Sequence, residues 1–206
     1  MKRIVSLLMV LLLAVSAAAC GVQETDTSAK DAAEPSDAPT TEQDNDNAKA
    51  LVAYFSATGN TETVAKQLQA VLDADGYEIV PEEPYTADDL NYNKDDCRAN
   101  KEQNDSTARP AIAGSVENMD DYDVVFIGYP IWWGKAPKII DTFLESYDFS
   151  GKTIVPFCTS GSSGIAGSLN EIQSAAPNAN WETGRRFSAN ATETDLQDWG
   201  NGLERN

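Results

Sequence analysis

The chain has 206 residues, with 33 acidic and 15 basic side chains and no histidine. Its net charge of −18 argues against nucleic acid as a partner, because binding to a phosphate backbone requires clustered basic residues. Without histidine, sites in which that residue activates a serine or cysteine are excluded, and so are most zinc sites.

The first twenty residues are typical of an export signal. Lys2 and Arg3 precede an uncharged run, residues 4–19, which ends in small side chains. The run is shorter than the roughly 20 residues that span a bilayer, which favours cleavage over a membrane anchor. VSAAAC resembles a bacterial lipoprotein processing site and implies lipidation of Cys20, with plain secretion as the alternative. The protein is therefore expected to be exported and anchored as a lipoprotein to the outer face of the cytoplasmic membrane.

Residues 21–49 predict a disordered acidic linker. They carry eight acidic and two basic side chains, and Val22 is their only large apolar residue. Such a stretch cannot bury enough apolar surface to offset its chain entropy. We therefore expect a tether that joins the membrane surface to one folded domain over residues 50–206.

The domain shows strands that alternate with helices. Apolar runs in KALVAYFS, DVVFIGYP and KTIVPFCTS indicate strands buried on both faces, and YEIVP and WETGRRFS indicate two more. Helices are expected from Thr61 to about Gly76, in KIIDTFLES, in GIAGSLNEIQSAAP and in TETDLQDWGNGLE. This order predicts an α/β fold, with a parallel sheet covered by helices on both faces. The polar segment 86–110 interrupts the pattern, and we expect it to be partly helical and functional or mobile.

The stretch SATGNT, residues 56–61, lies where the first strand ends and the first helix begins. Ligands of open α/β sheets bind at the carboxyl ends of the strands, and a helix N-terminus offers unpaired N–H groups with partial positive charge. Small donor side chains and a glycine complete a cradle for a phosphate dianion. Because the loop has no lysine or arginine, a monophosphate fits better than a triphosphate. The alternative is a capping turn that binds nothing.

Two further loops follow strands. YPIWWGKAP, residues 129–137, carries adjacent tryptophans, and we expect one indole to be partly buried and the other to face a ligand ring. CTSGSSGIAGS, residues 158–168, offers free N–H groups that suit the polar edge of a heterocycle. The three loops are expected to meet at one crevice, which combines phosphate binding, ring stacking and edge recognition.

With these three loops the sequence resembles the flavodoxin family, most of all its members with PIWWG, several of which are exported lipoproteins. The resemblance implies a flavodoxin-like three-layer sandwich, a five-stranded parallel sheet in the order 2-1-3-4-5, and FMN as the cofactor. It implies that the first loop holds the phosphate, that Trp133 covers one face of the flavin ring while Trp132 shapes that wall, and that the third loop follows the pyrimidine edge. The cofactor-binding residues implied in this way are Ser56, Ala57, Thr58, Gly59, Asn60, Thr61, Pro130, Ile131, Trp132, Trp133, Gly134, Thr159, Ser160, Gly161, Ser162, Ser163 and Gly164.

One departure from the family concerns the outer face of the ring. Many flavodoxins cover that face with a tyrosine from the third loop, whereas Gly164 stands near that position here. The face is therefore expected to be open or covered by the polar segment that begins at Thr86.

Three functions remain open from the sequence. The first is electron transfer outside the membrane with redox protein partners. The acidic charge fits either simple solubility or a surface that steers a basic partner, and composition alone does not separate the two. The second is reduction of quinones or other small molecules at an exposed ring face. The third is a flavin-binding module without turnover. Cys97 and Cys158 are expected to be separate thiols rather than a disulfide, with Cys97 the more exposed.

Overall fold

The computed structural model of the protein describes residues 48–203. The predicted export signal, Cys20 and the linker up to residue 47 lie outside the described residues, so those predictions stay untested. Within residues 48–203, no helix has the length and apolar character needed to cross a membrane.

Strands and helices alternate along the chain, as predicted. The strands are β1 (Ala50–Tyr54), β2 (Asp75–Glu78), β3 (Val80–Pro81), β4 (Ile112–Ala113), β5 (Val124–Pro130), β6 (Thr153–Thr159), β7 (Asn180–Trp181) and β8 (Arg185–Phe187). The helices are α1 (Asn60–Leu72), α2 (Arg98–Asn104), a short 3₁₀ helix (Met119–Asp121), α3 (Lys138–Glu145), α4 (Ala166–Ala175) and α5 (Glu193–Asn201).

The main sheet is parallel and has the order β2-β1-β5-β6-β7, with β8 also paired to β6. Numbered by position along the chain, this is the predicted order 2-1-3-4-5, with the fifth position divided between β7 and β8. The flavodoxin-like fold prediction is therefore confirmed.

The division of the fifth strand follows from Pro156 in β6. Asn180 N donates to Lys152 O, just before β6, and Glu182 N donates to Ile154 O within it, both at 2.9 Å. The even-numbered positions along this stretch therefore form the hydrogen bonds to β7. The next even residue is Pro156, which has no N–H to donate. The ladder is interrupted there and resumes in β8.

The two faces of the sheet bury two separate apolar cores, which gives three layers. Alternate residues of β1 point to opposite faces: Leu51 and Ala53 pack with α3 and α4, and Val52 and Tyr54 pack with α1 and α5. The predicted helices α1, α3, α4 and α5 are present.

The long polar segment is an ordered excursion rather than a loose loop. It contains α2, as expected, and the antiparallel pair β3–β4 closes its base. The local pattern does not predict this pair, because YEIVP is apolar enough to indicate one strand. The structure divides that stretch between β2 and β3.

Candidate functional site

A cavity of about 450 Å³ opens at the carboxyl ends of β1, β5 and β6. This volume lies within the range of small-molecule sites, roughly 300–1,000 Å³. All three predicted loops reach it. Two further stretches also line it: one in the polar segment, which was one of the two expectations for the outer face of the ring, and one after β8, which the sequence did not predict. Its lining residues are Ser56, Ala57, Thr58, Asn60, Thr61, Leu90, Tyr92, Pro130, Ile131, Trp132, Thr159, Ser160, Gly161, Ser188 and Ala189.

The N-terminus of α1 opens onto this cavity. Gly59 precedes the helix in the left-handed conformation, with φ of +83°, and within the described residues no side chain caps the helix. The unpaired N–H groups of the first turn and the helix dipole therefore favour an anion. Ser56, Thr58 and Asn60 add neutral donor side chains. Among the described lining residues none is a lysine or arginine, so an anion here is recognised by dipoles rather than by charged side chains.

Two buried hydroxyl groups join the first loop to the third. Thr61 Oγ1 and Thr159 Oγ1 lie 2.7 Å apart, and either atom can be the donor. One of the two protons is used in this hydrogen bond. The other hydroxyl proton of the pair remains free to be donated to a ligand, and both residues line the cavity.

The third loop is held by two hydrogen bonds of the Ser160 backbone. Arg186 Nη1 donates to Ser160 O at 3.0 Å, and Ser160 N donates to Phe187 O at 3.3 Å. The carbonyl and the following N–H of a trans peptide point in opposite directions. The N–H of Gly161 belongs to the same peptide as the Ser160 carbonyl, so it points away from the Arg186 guanidinium, and Gly161 lines the cavity.

The second loop makes a tight turn at residues 132–135. Trp132 N donates to Lys135 O at 2.9 Å, and Lys135 N donates to Trp132 O at 3.0 Å. Trp133 and Gly134 both have positive φ, +46° and +82°, which is the pattern of a type I′ turn. Positive φ is unusual and strained for a residue as bulky as tryptophan.

The two indoles of this turn have different environments. Trp132 is 5% exposed and packs edge-on against Phe55 and Tyr85, whereas Trp133 is 41% exposed. The expected burial of one indole is confirmed, whereas the expectation that the other faces a ligand ring stays a prediction. Trp132 lines the cavity, but Trp133 does not; it contacts Tyr92 instead. A role of Trp133 in covering the ring stays a prediction.

The turn is fixed from two sides. Gln103 of α2 donates through Nε2 to Trp132 O at 2.9 Å and to Ala136 O at 3.2 Å. On the other side, a Cβ added to Gly167 of α4 would lie 2.8 Å from Gly134 O. Helix α4 therefore approaches the turn as closely as a glycine allows.

Tyr92 is a cavity residue that sequence analysis missed. It lies in the polar segment, is 57% exposed, and places its ring centroid 4.5 Å from that of Trp133. The available signal was a single aromatic residue inside NYNKDD. That signal predicts no position in space, because nothing in the local pattern shows where the segment folds back.

The remaining predicted site residues lie beside the cavity rather than in its lining. These are Gly59, Trp133, Gly134, Ser162, Ser163 and Gly164. Their roles stay predictions. Gly164 is open to solvent, since a Cβ built on it would meet no described atom within 4 Å.

Both cysteines of the described region are buried and free, as expected for separate thiols. Cys97 is the more exposed of the two, as expected, but only 5% exposed against 0% for Cys158, because it precedes α2 at a point where the segment packs into the core. Burial raises the pKa of the Cys158 thiol to about 12, although the nearby charge of Arg186 opposes the shift. This thiol is therefore protonated and unreactive at neutral pH. Within residues 48–203, no group of three acidic or cysteine side chains is placed to hold a metal ion.

Comparison with known proteins agrees with this geometry. A model of the family described as Flavodoxin matches residues 49–203. The comparison with curated proteins finds no significant match.

Solved structures include two at more than 40% identity. A provisionally assigned flavoprotein from Bacteroides eggerthii DSM 20697 is 47% identical, with a TM-score of 0.72, and the match covers 75% of this chain and 97% of that one. Another, from Bacteroides uniformis ATCC 8492, is 44% identical with the same TM-score, covering 75% and 99%.

A more distant structure is a flavoprotein from Lactobacillus acidophilus NCFM in complex with FMN. It is 21% identical to this chain, with a TM-score of 0.54, and the match covers 74% of this chain and 99% of that one. At this identity the likeness concerns the fold alone.

Proposed function

The chain belongs to the Flavodoxin family, and on this premise we propose that it binds FMN in the cavity and transfers electrons between redox proteins outside the cytoplasmic membrane. FMN, when bound, supplies the one- and two-electron chemistry, and the protein supplies its orientation and electrostatic surroundings. The matched residues 49–203 include every residue of the cavity lining. A flavoprotein with the same fold has been solved in complex with FMN, which supports the same cofactor here.

The observation that carries the proposal is the uncapped N-terminus of α1 at the cavity. Its unpaired N–H groups suit a phosphate dianion, and Ser56, Thr58 and Asn60 surround it with further donors. A phosphate monoester matches this donor set because it carries up to two negative charges and three acceptor oxygens.

The rest of the cavity suits a planar heterocycle. Ile131, Trp132 and Leu90 form apolar walls, and Tyr92 adds an aromatic face. On the opposite side, the N–H of Gly161 and the Thr61–Thr159 hydroxyl pair offer donors for a polar ring edge. A molecule with a phosphate at one end and a flat ring with a polar edge at the other fits this arrangement.

The lining favours electron transfer over proton-coupled turnover of a substrate. Among the described lining residues there is no Asp, Glu, Lys, Arg or Cys, so only hydroxyl groups and backbone N–H groups could exchange protons. General acid–base catalysis normally uses groups whose pKa lies near the working pH. The net charge of −18 supports a basic protein as the electron donor or acceptor.

The proposed location rests on the N-terminal sequence. The apolar run before Cys20 and the acidic residues after it support export, lipidation and a flexible tether. Incorporation of labelled fatty acid into the full-length protein in a bacterial host tests this. Labelling that disappears in Cys20→Ala supports the anchor, and a secreted, unlabelled wild-type protein would contradict it.

A second candidate function is FMN-dependent reduction of quinones or other small molecules. The exposed aromatic rings of Tyr92 and Trp133 at the cavity mouth favour it, since a planar substrate could stack there. Gly161 and Gly164 also leave the third loop open, as added Cβ atoms would meet no described atom within 4 Å.

The test is the absorption spectrum of the purified full chain, followed by steady-state assays. We expect flavin absorption bands, or their recovery when FMN is added. Rapid reduction by a protein donor with little quinone turnover from NAD(P)H supports the carrier, and substantial turnover supports the reductase. A colourless protein that does not bind added FMN would overturn both and leave an interaction module.

A further inference from the structure

We propose that Tyr92 forms the outer aromatic wall of the ring-binding part of the cavity, and that Trp133 supports Tyr92 from behind instead of covering the ring itself. This inference rests on the proposed FMN binding and deepens it. It assigns a cofactor contact to a segment that carries none of the three loop motifs.

The lining of the cavity separates the roles of the two residues. Of the described lining residues two are aromatic, Trp132 and Tyr92, and they come from different parts of the chain. Trp133 is absent from the lining but lies against Tyr92, with ring centroids 4.5 Å apart and an angle of 41° between the planes. Tyr92 therefore borders the cavity and also contacts the indole of Trp133.

The turn that carries Tyr92 is held by its own hydrogen bonds. Lys94 N donates to Asn91 O at 2.9 Å, and Asn93 N donates to Asn91 Oδ1 at 3.0 Å, so Tyr92 stands at the tip of an Asx-type turn. Just before it, Thr86 and Asp89 exchange side-chain and backbone hydrogen bonds of 2.7–3.2 Å. These contacts fix the backbone on which Tyr92 is presented.

The polar segment is also attached to the turn at residues 132–135. Gln103 binds Trp132 O and Ala136 O, and Tyr85 packs edge-on against Trp132 with centroids 5.2 Å apart. Ala99 N donates to Asp89 O at 3.0 Å, which ties α2 to the turn before Tyr92. The distance between Tyr92 and Trp133 is thus set by a continuous set of packed and hydrogen-bonded groups.

The strained backbone of Trp133 fits a supporting role. A positive φ for a bulky residue is strained and persists only where its surroundings determine it. The left-handed conformation places the indole outside the cavity and against Tyr92. Contact between the two rings partly offsets this strain, because paired aromatic rings attract each other beyond simple area burial.

The test compares FMN with riboflavin, which has the ring but no phosphate. The full chain carrying Tyr92→Leu, Tyr92→Phe, Trp133→Leu or both leucine changes is titrated with each flavin, and flavin fluorescence is followed. Val80→Ala serves as the control, since Val80 is exposed but lies outside the cavity lining. Circular dichroism and thermal unfolding establish that each variant folds.

We expect Tyr92→Leu to weaken the binding of FMN and the binding of riboflavin by the same factor, roughly five- to tenfold, because only the contact with the ring is lost. Tyr92→Phe should bind nearly as well as wild type. Trp133→Leu should weaken binding less, and it should have no further effect when Tyr92 is already leucine, since it acts through Tyr92.

Two results would overturn the inference while FMN binding itself stands. One is wild-type affinity in Tyr92→Leu. The other is a loss of flavin affinity in Trp133→Leu that is equally large when Tyr92 is already leucine. That result would make Trp133 the residue that covers the ring. Failure of the wild-type chain to bind either flavin would instead contradict the proposed function, and this inference with it.

Discussion

Helices α1 and α5 lie side by side on one face of the sheet and share its apolar core, yet their N-termini are built differently. α5 begins with a complete capping box: Asp195 N donates to Thr192 Oγ1 at 3.2 Å and Thr192 N donates to Asp195 Oδ2 at 2.9 Å. α1 begins at the left-handed Gly59 and has no side-chain cap among the described residues.

This difference separates a helix end that only stabilises the fold from one that is kept free for a ligand. At α5 the chain satisfies its own donors, so the N-terminus has little left to offer an anion. At α1 the donors face the cavity. Sequence alone does not separate the two, because both stretches are rich in threonine, SATGNTET and ATETD.

The largest expected effect is that of Thr58→Glu. A carboxylate at the open end of α1 occupies and repels the site of the phosphate, so FMN affinity should fall at least 100-fold in a fluorescence titration. The same charge interacts favourably with the helix dipole, so the free energy of unfolding in urea should not decrease. Thr58→Gln is the neutral control and should lose far less affinity. If Thr58→Glu destabilises the fold while binding FMN normally, the α1 end is an ordinary cap.

Gly167→Ala is expected to have the next largest effect on binding. Its Cβ would lie 2.8 Å from Gly134 O, a backbone atom that cannot move without shifting the turn at residues 132–135. Overpacking of this kind destabilises the fold by about 1–3 kcal/mol. The better helix propensity of alanine offsets up to about 1 kcal/mol of this. We expect several-fold weaker FMN binding.

Ser174→Ala is the control for this change, because Ser174 lies in the same helix, is exposed and is not among the cavity-lining residues, so FMN affinity should stay at the wild-type value. Equal FMN affinities for the two variants would show that the turn does not depend on its approach to α4.

Arg186→Met tests the anchor of the third loop. Without the hydrogen bond to Ser160 O, the Gly161 N–H loses its fixed direction, so FMN binding should weaken about two- to fivefold; the effect is modest because this guanidinium is exposed. Arg185→Met, which removes a contact with the Phe187 ring, should leave FMN affinity unchanged. If both variants lose the same FMN affinity, the loss comes from the removal of positive charge and not from the release of the third loop.

Thr192→Ala should affect stability alone. Loss of an N-cap threonine typically costs about 0.5–2 kcal/mol, measured by urea unfolding, and FMN affinity should match wild type. A change in FMN affinity would contradict the separation of the two helix ends.

The pH dependence of this cap has a defined sign. Hydrogen bonds from the backbone N–H and the hydroxyl of Thr192 lower the pKa of Asp195 from its ordinary value of 3.8. A carboxyl group with a lowered pKa in the folded state contributes fully above its unfolded pKa and loses that contribution as the pH falls through the folded value. The stability difference between wild type and Thr192→Ala should therefore shrink below pH 3.8; a constant difference down to pH 2 would contradict it.

The fold was predictable from the sequence because local patterns determine it. Apolar runs in β1, β5 and β6 mark strands buried on both faces, and helical spacing marks α1, α3, α4 and α5. The three cavity loops were predictable for the same reason, since parallel strands place their carboxyl ends at one edge.

The parts that escaped prediction depend on contacts distant in sequence. Tyr92 reaches the cavity only because Gln103 and Tyr85 hold the polar segment against Trp132. Likewise the β3–β4 pair joins residues about thirty positions apart. The split of the fifth strand follows from Pro156 on a neighbouring strand, which local propensity does not reveal.

The central claim is that the open end of α1 holds a phosphate dianion without any charged side chain. Phosphorus NMR of FMN bound to the full chain tests it most directly. Donors that favour the charged form lower the phosphate pKa. The phosphorus chemical shift of bound FMN should therefore stay constant from about pH 5 to 8, whereas that of free FMN changes near pH 6. A bound signal that titrates like free FMN would contradict the claim.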